Sequence, residues 1–120
     1  LFAYGPVMIH EAMVASDLLV RKGIGLRVIN SPWLNRMDLE WMMAQVDPFE
    51  YIFVLEDHAP VGGFADFLLN ELVSGGGLGT RSFVKFAVEG YPACGTPAEA
   101  LRFHGLDGAS LADRILFHMD

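Results

Sequence analysis

Glu56, Asp57 and His58 stand together a few residues ahead of Gly62-Gly63. A carboxylate beside an imidazole can hand a proton on as general acid and base, and a helix that starts at a glycine pair offers free backbone N–H groups to a small anion. The same residues also fit a structural role, in which Glu56 and His58 satisfy loop backbone groups while the glycines let a helix start close against a strand. Cys94 precedes a capped helix start, a place where a thiolate can be stabilised, but the spacing assigns no histidine to it. His10, His104 and His118 show no metal-ligand spacing. The phosphate-loop, zinc-protease, paired-cysteine and nucleophile-elbow patterns are missing. The glycines of Ser74 to Thr80 precede a strand rather than follow one, which rules out a dinucleotide fingerprint. The candidate crevice or interface residues are therefore Gly5, Glu56, His58, Gly62 and Gly63, with no residue assigned to catalysis, cofactor or metal.

These residues need elements to hold them. Tyr51-Ile52-Phe53-Val54-Leu55 reads as a buried strand, and a helix follows from about Gly63 to Val73 with Phe64, Phe67, Leu68 and Leu72 facing inward. Ahead of that unit come a short strand, Leu1 to Tyr4, and a helix from Val7 to Lys22 whose apolar face is Met8, Ala12, Ala15 and Leu19. Gly23 ends it, and Asp17 and Arg21 are spaced to pair on its polar face. Leu26 to Asn30 is a second strand, and Asp38 can cap a brief helix from Leu39 to Val46. Ser82 to Val88 is a fourth strand. Thr96-Pro97-Ala98-Glu99 is a capping box with proline at the first helical position. A last helix, capped by Ser110, carries Leu111, Ile115 and Met119 as its stripe. Strands alternating with helices, without clean in-out alternation, predict an α/β fold: a three-layer α/β/α arrangement around a mostly parallel sheet of about four to five strands, in a single domain over residues 1–120.

Composition narrows the classes. The net charge of −7 and scattered basic residues argue against a nucleic-acid partner. A single cysteine leaves no internal disulfide and fits a cytoplasmic protein. There is no apolar run of the roughly 18 residues that read as a membrane-spanning helix, and no signal-peptide pattern at the N-terminus. Yet the hydrophobic content is 52% with a mean hydropathy of +0.35. That excess predicts an exposed apolar patch of the kind that marks an interface. The first residue is Leu1, inside a strand pattern, which is the look of a piece of a longer chain.

The order of motifs carries a resemblance. A strand ending at Gly5 is followed by a helix from Glu11-Ala12 to Leu18-Leu19, then Gly23-Ile24 with Arg27-Val28-Ile29-Asn30, then Met37-Asp38. Val54-Leu55-Glu56-Asp57-His58 with Gly62-Gly63-Phe64 comes next, then Gly95-Thr96-Pro97-Ala98-Glu99 and His104-Gly105-Leu106-Asp107. Over nearly its whole length the chain resembles the C-terminal domain of transketolase-type thiamine diphosphate enzymes. That group includes transketolase, 1-deoxy-xylulose 5-phosphate synthase and the β subunits of 2-oxo acid dehydrogenases. Met37-Asp38 departs from the proline-containing turn that relatives often have there. The resemblance implies a sheet with the strand order second, first, third, fourth. It also implies that thiamine diphosphate and Mg²⁺ are bound by other domains of the parent enzyme and not here. The expected role is interdomain packing and homodimer formation, without catalysis by this section alone. The alternative is a free-standing α/β domain that binds a small anionic regulator at the crevice between Gly5 and Glu56 to Gly63.

Overall fold

In the computed structural model, which describes all 120 residues, the spacing of Met8, Ala12, Ala15 and Leu19 produces helix α1 (Pro6–Val20), and these four are its buried residues. Proline occupies its first turn, where the missing N–H costs nothing. Its end comes earlier than Lys22. The N–H groups of Gly23 and Ile24 fold back onto the carbonyls of Val20 and Leu19 at 3.0 and 3.1 Å, closing the helix in a Schellman turn.

The strands are β1 (Phe2–Ala3), β2 (Ile29–Asn30), β3 (Tyr51–Leu55) and β4 (Ser82–Phe86), all parallel in the order β2-β1-β3-β4. The expected order is therefore the observed one. β2 is shorter than Leu26 to Asn30 because β1 offers it only Phe2 and Ala3 as partners; further back, Leu26 gives its carbonyl to the Ser16 hydroxyl at 3.2 Å. β4 likewise stops at Phe86, where β3 runs out of partners.

Successive strand residues point to opposite faces, and each face is covered. Phe2, Ile52 and Val54 meet α2 (Leu39–Val46) and α3 (Phe64–Ser74) through Met42, Val46, Phe64, Ala65, Leu68 and Leu72. Ala3, Phe53, Leu55 and Phe86 meet α1 and α5 (Gly108–Met119) through Leu111, Ala112 and Ile115. This is the three-layer α/β/α arrangement. Phe67 and Met119, expected to face inward, are only half-buried.

Two of the three expected helix caps form. Asp38 caps α2 by accepting the Trp41 N–H at 2.8 Å. Thr96 and Glu99 form the capping box of α4 (Pro97–Phe103), and this hydrogen bonding holds the Glu99 carboxyl below its ordinary pKa. Ser110 does not cap α5. Asp107 does, accepting both the N–H and the hydroxyl of Ser110, because aspartate at this position reaches two donors at once. A second carboxylate arrives from far away in sequence: Glu11 accepts the Gly108 N–H at 2.6 Å. A Cβ on Gly108 would lie 2.5 Å from Val14 Cγ1, so glycine is what lets α5 seat this closely on α1. Asp17 and Arg21 make no ion pair; the pair on this side of the molecule is Lys22 with Asp113 at 3.8 Å, both largely exposed and worth little.

Candidate functional site

The chain crosses from β1 to β2 on one side and reaches β3 on the other, so the topological switch point lies between β1 and β3, where ligands bind in open α/β sheets. Tyr4 and Gly5 leave β1 there, and Glu56, Asp57 and His58 leave β3. One residue beyond the paired Ala3 and Leu55, Tyr4 and Glu56 come side by side.

Glu56 is fully buried. Its backbone N–H is tied to Phe86 O at 2.9 Å, and its Oε2 accepts the Ala65 N–H at 3.4 Å at the start of α3. Oε1 has no hydrogen-bond partner. Burial pushes the carboxyl above its ordinary pKa, opposed by the Ala65 and Phe64 N–H groups and by His58 and Lys85. His58 is exposed, with Nδ1 2.8 Å from Ala59 O.

Gly63 joins the two. Its φ of −95° is open to any residue, but a Cβ there would come 2.9 Å from both Glu56 Cδ and His58 Nδ1. Glycine is present for space. Gly5 is the opposite case, with φ at +75° and nothing within 4 Å of a Cβ, so it serves the backbone turn into α1. The structure thus brings Glu56, His58 and Gly63 into one contact and leaves Gly5 apart from it.

Gly62 is held by a residue that sequence reasoning missed. Its N–H donates to Asp66 Oδ2 at 2.6 Å, and the other Asp66 oxygen pairs with the Lys85 ammonium, which also donates to Pro60 O at 3.1 Å. The pairing with Lys85 and the Gly62 N–H hold the Asp66 carboxyl below its usual range. The turn from Asp57 to Gly63 is therefore clamped to β4 by one lysine and to α3 by one aspartate. Lys85 could have been noticed as the single charge inside Phe83 to Phe86. Asp66 follows Gly62 by four residues, in the first turn of α3.

Tyr4 is the third member missed. Its ring meets Phe64 edge-on at 5.8 Å. Burial, then the nearby Asp57 and Glu56 carboxylates, push its hydroxyl up to about 12, so it stays protonated. As a whole the crevice is lined by carboxylates, its one lysine is already paired, and the Gly62 and Ala65 N–H groups an anion would use are taken by Asp66 and Glu56. No group of three or more His, Cys, Asp or Glu side chains is placed to hold a metal ion. These residues do not suit thiamine diphosphate with Mg²⁺, whose diphosphate needs positive charge or free donors.

Elsewhere, Cys94 is exposed, and His104 Nε2 accepts the Ala93 N–H at 3.0 Å. The apolar excess emerges as exposed side chains. Trp33, Leu34 and Trp41 lie at or beside a groove of about 500 Å³ after β2, with Arg36 stacked 3.8 Å over the Trp33 ring. Tyr91, Phe103 and Phe117 are each more than 70% exposed. No helix is long and apolar enough to cross a membrane.

Residues 1–111 match the family model described as transketolase, C-terminal domain. Human transketolase is 27% identical over 110 residues, covering 91% of this chain and 17% of that protein. A protein of Methanocaldococcus jannaschii named putative transketolase C-terminal section is 26% identical over 111 residues, covering 92% of this chain and 34% of that one. The chain thus spans between 17% and 34% of the length of these curated relatives. Among solved structures, one titled split gene transketolase, inactive beta4 tetramer, superposes with a TM-score of 0.79 at 23% identity, over 93% of this chain and 36% of that one. With the family model matching residues 1–111 of 120, the chain belongs to the transketolase C-terminal domain family.

Proposed function

We propose that this chain is the C-terminal section of a thiamine-diphosphate-dependent, transketolase-like enzyme of the cytoplasm, and that it works by packing against the other domains or subunits and by dimerisation. The observation that carries this is the family match over residues 1–111 in a chain that covers only 17–34% of its curated relatives. Those relatives have long segments with no counterpart here, and thiamine diphosphate and Mg²⁺ are assigned to those segments. Support comes from the carboxylate-lined crevice and from the exposed Trp33, Trp41, Phe103 and Phe117, which are side chains suited to interfaces. The protein named as a putative C-terminal section and the split-gene protein titled as an inactive tetramer both suit a section that associates but does not turn over alone.

The first test is turnover. With thiamine diphosphate, Mg²⁺ and ketose and aldose phosphates added, this chain alone is expected to give no ketol transfer above background. Transfer by the chain alone would overturn the assignment of the chemistry to other sections.

A further inference from the structure

Two buried polar side-chain atoms have no hydrogen-bond partner, Ser31 Oγ and Glu56 Oε1, and both lie just past the carboxyl ends of their strands. Glu56 is the ionisable one. Its Oε2 takes the Ala65 N–H, while Oε1, on a fully buried residue, has no hydrogen-bond partner. The charges that face it from the surrounding elements do not supply one. Lys85 on β4 is spent on Asp66 and Pro60 O, and Asp66 on α3 is spent on Lys85 and Gly62. His58 in the turn has Nδ1 against Ala59 O. Tyr4 beside it gives its hydroxyl to Asp57 in the turn, which adds a second negative charge. An ionised Glu56 in this position would be a buried carboxylate with one oxygen bare, whereas a neutral carboxyl leaves only one hydrogen bond unmade.

We infer that Glu56 is a proton-operated latch on the turn between β3 and α3: the neutral carboxyl holds the turn closed, and loss of its proton opens the turn so that water reaches Oε1. The geometry at Gly63 makes the device sharp, since the carboxyl and the His58 ring already fill the space where a Cβ would sit, so the closed turn packs directly on the group that titrates. Burial of the carboxyl acts in the same direction. The closed turn binds the proton more tightly than the open one. Its stability is therefore full below the ordinary glutamate value, falls as pH rises from there to the raised native value, and is level beyond it. The turn borders the switch-point crevice, so opening it reshapes that edge of the molecule.

Carboxyl carbon NMR titration of the 120-residue chain, with amide hydrogen exchange at Ala65 and Phe64 over the same pH range, tests this. Glu56 is expected to titrate above the ordinary 4.5. Ala65 protection, corrected for intrinsic exchange, is expected to fall by about tenfold per pH unit across the interval between the two values. Glu56→Gln keeps the shape without the proton and is expected to give protection independent of pH. A Glu56 that titrates at or below the ordinary value, flat protection in the parent chain, or a pH slope that survives in Glu56→Gln would each overturn the latch. If Glu56→Gln does not fold, the parent chain's titration and exchange decide the matter alone.

Discussion

Replacing Phe86 with alanine is expected to destabilise the chain by about 4 kcal/mol, the size seen for large aromatic truncations in well-packed cores. Phe86 is fully buried at the end of β4. Its ring stacks on Phe53 at 5.6 Å, and the Arg114 guanidinium sits over its face at 4.6 Å. The side chain therefore fixes α5 to the sheet as well as filling the layer between them. Truncation leaves a cavity and strips an arginine of its aromatic partner. Phe103, 73% exposed, is the control, and its alanine variant is expected to stay within about 0.5 kcal/mol of the parent. Urea unfolding reads both, and a Phe86→Ala midpoint close to the parent's would mean that β4 and α5 are held together by something else.

Gly63→Val is expected to cost roughly 2 kcal/mol, in the range for overpacking. The backbone conformation suits valine, so the cost comes from Glu56 Oε2, the nearest atom, and from Glu56 Cδ and His58 Nδ1, each 2.9 Å from the first added carbon. His58 is exposed and can swing away. The Glu56 carboxyl is at the end of a flexible side chain but is fully buried and would have to give up the Ala65 N–H, which is why the loss stays substantial. The expected result is a lower unfolding midpoint at an unchanged denaturant slope, together with faster exchange at Ala65. An unchanged midpoint would show that the turn accommodates the side chain freely.

Local chemistry made much of this fold readable from sequence. The face of α1, the caps at Asp38 and Thr96 and the buried run Ile52 to Leu55 depend on neighbours within a few residues, and periodicity and capping rules act on that scale. The Ser110 cap was misplaced because Asp107, three residues earlier, is the stronger acceptor and uses Ser110 as its donor. What could not be read was the contacts between distant segments. Glu11 meets Gly108 across 97 residues, and Lys85 meets Asp66 across 19. The strand lengths belong to the same class, since β2 is cut to two residues by what β1 can pair. At the candidate site, Glu56, His58, Gly62 and Gly63 were legible because they are adjacent in sequence. Asp66, four residues after Gly62, was within reach of a capping rule, whereas Tyr4 just past the end of β1 and Lys85 on β4 complete the crevice from distant segments that no local pattern can join.

The turn from Glu56 to Gly63 is clamped from within, and the exposed aromatic side chains lie elsewhere on the surface. That division supports the proposed role in association rather than in chemistry. Size-exclusion chromatography with light scattering over a concentration series tests this most directly: the proposed role predicts a mass of two chains or more, and a strictly single-chain mass at every concentration would contradict it.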